Sequence, residues 1–313
     1  MATLDAFEAD AFKSDYTALT TGCGFVELEN WSAIRMTGTD RHTFLHNMCT
    51  NEIKRLLPGD ACEAFCTDVK GKIVAQVFVL ARSDRFDLLT APKQAISLIA
   101  HLDRYVIRED VQLTDVTSDG AWMFVGVAAG ELPIRTAAEL ESTPSDFCGL
   151  PGFLLRVADH ELQKVKEQLI NAGGKVCGWE AWEARRIEAG LPLFDVDFDS
   201  SQLPQEINRD ALAINFNKGC YLGQETIARI DALGHVNQKV VLLKFARETL
   251  PPVGTELNAA GKVVGKITSR CWSPRLEAPL ALAMVRRGSN TLGSQLESKL
   301  GSATVVAPPV KFE

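Results

Sequence analysis

Lys218-Gly219-Cys220-Tyr221-Leu222-Gly223-Gln224-Glu225 stands apart from the rest of the chain. Its cysteine lies between glycine and tyrosine, with a lysine two residues back. A neighbouring ammonium favours the thiolate, the nucleophilic form of cysteine. Glu225 opposes that effect if it is nearer than Lys218, and Gln224 adds an amide, so spacing alone leaves the thiol's acidity open. The residues by themselves support two readings: a reactive thiol in an open loop, or a tight turn packing a small cysteine.

Around the octapeptide, Leu191–His235 is poor in periodic signal and rich in polar, Gly and Asn positions, as in an ordered functional loop. Upstream, Trp179–Ala189 is expected as a helix stopped by Gly190, and His160–Ala172 as a helix stopped by Gly173-Gly174. Glu131–Pro144 is the place for a connecting helix. Ala121–Val127 and Phe153–Val157 read as strands. Nearer the N-terminus, a short helix precedes strands at Gly24–Glu27 and Trp31–Met36. Thr39 or Asp40 is placed to cap a helix burying Phe44, Leu45 and Met48. Ala61–Thr67 and Ile73–Leu80 form a hairpin about Asp68–Lys72, where Gly71 supplies a permissive backbone. Arg85–Thr90 is a strand, and Pro92–Arg104 an amphipathic helix. Beyond a boundary near Gly234–Gln238, the strands Val240–Phe245, Val263–Arg270, Leu280–Val285 and Ala303–Ala307 predict a small antiparallel barrel or sandwich. The expected division is 1–110, 111–235 and 236–313, with the first two segments α+β and the octapeptide in the second.

Apolar residues are 46% and charged residues 23% of the 313, which excludes disordered and collagen-like classes. No apolar run approaches the ~20 residues of a spanning helix, and the acidic N-terminus is unlike a signal or transit peptide. The expected setting is therefore soluble and cytoplasmic, away from membranes. From Val236 onward there are 11 Lys and Arg against 5 Asp and Glu, while the remainder holds 22 against 35. A basic tail on an acidic body could steer an anion, although no basic run with interleaved aromatics points to nucleic acid directly. The eight cysteines, Cys23, Cys49, Cys62, Cys66, Cys148, Cys177, Cys220 and Cys271, show no CxxC and no metal-ligand spacing, so they read as reduced thiols and no metal site is assigned.

The octapeptide resembles the signature K-G-C-Y-x-G-Q-E of the YgfZ folate-binding proteins, relatives of the glycine-cleavage T-protein. Other pieces agree in order: Thr37-Gly38-x-Asp40, Phe44-Leu45…Thr50-Asn51, Pro58-Gly59, Gly71-Lys72, Ile187-Glu188-Ala189-Gly190-x-Pro192, Leu203-Pro204-Gln205-Glu206, Gly261–Ser269 and Leu280–Arg286. The resemblance implies an α+β protein: a three-lobed ring of T-protein-like folate-binding modules with a C-terminal antiparallel β-barrel. Tetrahydrofolate, or a one-carbon derivative of it, would occupy the central opening. Trp31 and Trp182 correspond to the family's folate-site tryptophans, on which a pterin or aminobenzoyl ring stacks well. Arg186 corresponds to a T-protein arginine near the pterin. Cys220 is then a reactive thiol at the mouth of the folate site and Lys218 its activator, with Gly219, Tyr221, Gly223, Gln224 and Glu225 completing the motif.

The function implied is that of a folate-dependent accessory protein in iron–sulfur cluster assembly or repair. Its partners would be iron–sulfur enzymes or assembly proteins, including those that modify tRNA, with any tRNA contact indirect. The rival reading is an aminomethyltransferase or a related folate-linked one-carbon transferase. Against it, the strand after the hairpin turn carries Ala75 and Gln76 where the T-protein has its aspartate pair, and an amide does not replace an ionised group in proton transfer.

Overall fold

The computed structural model describes residues 6–127, 130–134, 140–146, 148–149 and 151–308. Helix α1 (Ala6–Thr21) leads into β1 (Cys23–Glu27) and β2 (Ser32–Thr37), followed by α2 (Arg41–Met48). The hairpin β3 (Ala61–Thr67) and β4 (Ile73–Ala81), then β5 (Phe86–Thr90), α3 (Ala95–Asp103) and β6 (Gln112–Asp115), complete the first lobe. Its sheet has the order β3-β4-β5-β2-β6. The hairpin is set locally: Asp68 Oδ1 accepts the amides of Lys70 and Lys72, both at 2.8 Å, and Gly71 takes φ +76°. The expected side-chain caps of α2 are replaced by a clasp to a distant turn. Thr39 donates from its amide and hydroxyl to Asp110, and Asp40 accepts the Asp110 amide.

The second sheet is built from β7 (Ala121–Val127), β8 (Leu140–Ser145), β9 (Gly152–Val157) and β10 (Lys175–Val176), with α4 (Asp159–Asn171) between β9 and β10. Its order, β10-β1-β7-β9-β8, takes in β1 from the start of the chain. The connecting helix expected over Glu131–Pro144 is not formed where the structure describes it. Residues 140–144 are strand, paired with β9, and 135–139 lie outside the described residues. Helix α5 (Trp179–Glu188) ends as its sequence predicts. Gly190 takes φ +62° at C′, and the Leu191 amide reaches back to the Arg186 carbonyl at 2.8 Å.

After α5 come a 3-10 turn at Pro204–Ile207, the short α6 (Asp210–Ala213) and α7 (Gln224–Leu233). The segment expected as loop thus holds a ten-residue helix that begins at Gln224, after the cysteine. The remaining strands, β11 (Gln238–Phe245), β12 (Glu256–Ala259), β13 (Lys262–Ser273), β14 (Ala278–Arg286), β15 (Gln295–Ser298) and β16 (Gly301–Val306), close an antiparallel barrel in the order β11-β14-β13-β12-β15-β16.

The three lobes meet on α5. One core cluster takes Phe78, Leu80 and Leu89 from the first sheet, Trp122, Phe124 and Leu154 from the second, and Val240, Leu242, Leu280 and Leu282 from the barrel. Trp182, Ala184 and Ile187 of α5 lie in the same cluster. No described helix is long and apolar enough to cross a membrane.

Candidate functional site

The octapeptide is tied down by its own residues. Lys218 is buried, and its ammonium donates to the carbonyls of His46 at 2.5 Å, Cys49 at 2.7 Å and Asn51 at 2.7 Å. A helix C-terminus leaves carbonyls unsatisfied, and this cation serves those that end α2. The Lys218 Nζ also lies 4.9 Å from the centroid of the buried Tyr221 ring. Leu222 exchanges two further bonds: its amide donates to Asn47 O at 2.9 Å, and its carbonyl accepts from Thr67 Oγ1 at 2.6 Å. Gly223 takes φ +81°, and a Cβ there would fall 2.5 Å from Asp68 O and 2.8 Å from Gly71 Cα. Two motif glycines, Gly71 and Gly223, therefore face each other because only bare backbone allows the hairpin turn to dock on the start of α7.

These contacts revise the sequence expectation for Lys218. Its three bonds are to carbonyls of the first lobe rather than to the cysteine. Burial is the main influence lowering its own pKa. Cys220 is the one exposed cysteine of the eight, as an open loop predicts. Cys49 and Cys66 are buried, and burial pushes both thiols up, so they are poor nucleophiles. Cys62 is partly exposed, and burial also raises its thiol. Gln224 and Glu225 begin α7, where an acidic residue complements the helix dipole.

The tryptophans are placed differently from expectation. Trp31 is 3% and Trp182 0% exposed, and they meet edge to face at 5.9 Å. Trp179 stacks on Trp182 at 4.5 Å. Their rings fill the junction of the three lobes and do not present a face to a pterin in this arrangement. Arg186 is also fully buried. Its guanidinium donates to Glu183 at 2.6 and 2.8 Å, Asp197 at 3.0 Å, Leu191 O at 3.1 Å and Ser269 at 2.8 Å. Burial opposes its charge, but Asp197 and Glu183 outweigh that and raise its pKa. It is not the surface charge that one reading allowed; it ties α5 to the barrel.

A cavity of about 650 Å³ opens above that junction. Its apolar bed includes Ile207, Val240, Leu242 and Leu282, and its rim carries His235, Lys239, Arg287 and Asn290. No carboxylate is among its described lining residues. The volume is in the range of small-ligand sites. An aminobenzoyl ring suits the bed and a glutamate tail suits the cations, so the residues fit a folate. Val240, Leu242 and Leu282 belong to the same core cluster as Trp31 and Trp182. Sequence reading missed Lys239 and Arg287; the excess of positive charge after Val236 was the signal that could have found them.

Cys220 is not part of this cavity's lining. It precedes α7, whereas Gly234 and His235, which follow α7, line the cavity. Ten residues at 1.5 Å each put the two ends of that helix about 15 Å apart. The thiol therefore lies at the opposite end of α7 from this cavity.

The GCVT N-terminal domain family matches residues 5–130, and the glycine cleavage T-protein C-terminal barrel domain family matches residues 238–311. The chain belongs to the glycine cleavage T-protein family. Among T-protein relatives, an aminomethyltransferase of Nostoc sp. is 23% identical, over 95% of this chain and 86% of its own. The tRNA-modifying protein YgfZ of Yersinia enterocolitica is 26% identical, over 74% of each chain. The solved structure of glycine cleavage system aminomethyltransferase T from Bartonella henselae superposes with a TM-score of 0.84, at 17% identity, over 96% of this chain and 91% of its own. The T-protein fold expected from the sequence is thus present, with its closed six-strand barrel.

Against the T-protein pattern, Ala75 is buried and Gln76 is an amide. Gln76 Nε2 donates to Glu63 Oε1 at 2.7 Å, and Glu63 is ion-paired with Arg209 through Nε at 3.0 Å and Nη2. The carboxylate bonded to Gln76 is buried and neutralised by an arginine.

Proposed function

We propose that this T-protein relative is a folate-binding accessory protein of the YgfZ type, acting in iron–sulfur cluster assembly or repair with effects on tRNA-modifying iron–sulfur enzymes. Tetrahydrofolate, or a one-carbon derivative, is held in the cavity between α7 and the barrel. Lys239 and Arg287 would meet the glutamate carboxylates there, and the bed of Val240, Leu242 and Leu282 the aromatic part. The folate supplies one-carbon chemistry when bound. Cys220 is the thiol through which the protein meets a sulfur species, a cluster or a reactive one-carbon unit. One thiolate does not hold a cluster, which takes about four ligands, so a partner supplies the rest. The cavity carries the folate reading: its lining has no carboxylate and includes His235, Lys239 and Arg287, with Lys239 also 3.8 Å from Asp210. The exposed cysteine in a signature loop shared with YgfZ supports the accessory role.

Calorimetry with tetrahydrofolate tests the site. A charge-assisted hydrogen bond contributes roughly 1.5–3 kcal/mol. Lys239→Ala and Arg287→Ala are therefore each expected to weaken binding about tenfold or more, and wild-type affinity in both variants would place folate elsewhere. Cys220→Ala is expected to keep wild-type folate affinity while failing to restore an iron–sulfur enzyme in a deficient strain; full restoration removes the accessory role of the thiol.

The rival, aminomethyl transfer, is disfavoured by Gln76. With an aminomethyl-lipoyl donor and tetrahydrofolate, turnover is expected at background level. Robust turnover would promote the enzyme reading over the accessory one.

A further inference from the structure

The side chain that faces the signature loop is a histidine. His46 lies in the last turn of α2, with its side chain only 5% exposed. Its Nδ1 is 3.0 Å from Glu52 Oε1. Glu52 is itself fixed, because Oε1 accepts the Lys54 amide at 2.9 Å. The Ile53 amide also approaches His46 Nδ1, at 3.4 Å. The carboxylate is both nearer and charged, so Nδ1 carries the ring proton and donates it to Glu52, and the lone pair is left on Nε2. That nitrogen makes no hydrogen bond among the described residues, and it points at the octapeptide. A Cβ built on Gly219 would lie 3.8 Å from it, so the loop backbone passes within ordinary contact range of Nε2. Cys220 is the next residue in the loop, and its side chain is exposed.

We propose that His46, oriented by Glu52, is the general base for the Cys220 thiol, and that the three residues form a site for small electrophiles. The proposal rests on the reading of Cys220 as a reactive thiol and gives that thiol its proton acceptor. As sulfur attacks an electrophilic carbon, the S–H bond breaks and its proton passes to Nε2. The S–C bond forms as the leaving group departs with its electron pair. Lys218 then acts on the base rather than on the sulfur. Burial is the main influence lowering the His46 pKa; Lys218 and Lys54 lower it further and Glu52 opposes them. The imidazole is consequently neutral near pH 7, as a base must be. Gly219 places no side chain between Nε2 and the loop.

The test is the rate at which iodoacetamide alkylates Cys220 in the full chain between pH 6 and 9, followed by mass spectrometry. Iodide is the leaving group. With the base in place, the wild-type rate is expected to change by less than about threefold between pH 7 and 8. In His46→Gln the rate at pH 7 falls about tenfold. It then climbs with pH as the thiolate fraction grows. Glu52→Gln is expected to lose a few-fold at pH 7 with the thiol left in place. Identical pH profiles in wild type and His46→Gln overturn the assignment. Should His46→Gln melt early, Glu52→Gln decides, a wild-type profile there being the adverse result. Restoration of iron–sulfur enzymes by Cys220→Ala removes the cellular role of the thiol without altering the labelling profile, so the two failures are separable.

Discussion

Arg186→Met is expected to unfold the junction of the lobes well before it affects any ligand. The wild-type guanidinium joins Glu183 on α5, Asp197 and the Leu191 carbonyl after it, and Ser269 on β13. Methionine fills much of the volume but leaves Asp197 buried and short of its cation. Asp197 keeps the Thr268 hydroxyl at 2.6 Å and the Leu193 amide at 3.0 Å, which soften the loss without supplying charge. Removing one partner of a buried ion pair costs roughly 3–5 kcal/mol. At about 2–4 °C per kcal/mol for a chain of this order, the thermal midpoint is expected to fall by roughly 10 °C. The variant that remains folded at low temperature should bind tetrahydrofolate with near wild-type affinity. A wild-type melting profile combined with lost folate binding would restore Arg186 to the ligand site, where the sequence had placed it.

That contrast shows where the sequence was legible. The β3–β4 hairpin could be read because its information is local: alternating apolar residues on either side of an Asp-x-x-Gly turn whose hydrogen bonds are made within five residues. Helix α5 could be read through its period and its Gly190 stop. Four of the six barrel strands could be read as β-rich runs, whereas β12 and β15 span four residues each, too short to show a period. Helix α7 was overlooked although Ile227 and Ile230 are spaced for one face, because the signature loop drew the whole stretch into a loop reading. The membership of β1 in the second sheet was out of reach, since its partners Met123–Val127 lie about a hundred residues away. The same limit governs the site. An indole stacked on a pterin and an indole packed in a core are chemically alike, and only the convergence of three lobes on Trp182 separates them. Lys218 is two residues from Cys220 in the chain, but its partners lie 167 to 172 residues away.

Lys218→Met is expected to release the signature loop from the first lobe. The three carbonyls of His46, Cys49 and Asn51 lose their shared donor at once, and the approach of the Tyr221 ring loses its cation. Hydrogen bonds to a charged group contribute roughly 1.5–3 kcal/mol each in isolation, but they are not additive here because the wild-type ammonium is itself buried at a cost. A net loss of about 3–4 kcal/mol is expected, read as an earlier melting transition. Hydrogen exchange locates it: the Leu222 amide, bonded to Asn47 O, should lose protection, while the barrel amides of β11 and β14 keep theirs. A second readout follows from charge. Lys218 lowers the His46 pKa, so its removal is expected to raise that pKa, measurable by NMR titration of the imidazole in the folded variant. More of the ring is then protonated at pH 6, and Cys220 alkylation there slows relative to wild type even though the loop is looser. Unchanged Leu222 protection together with an unshifted His46 titration would show that the ammonium neither anchors the loop nor governs the base.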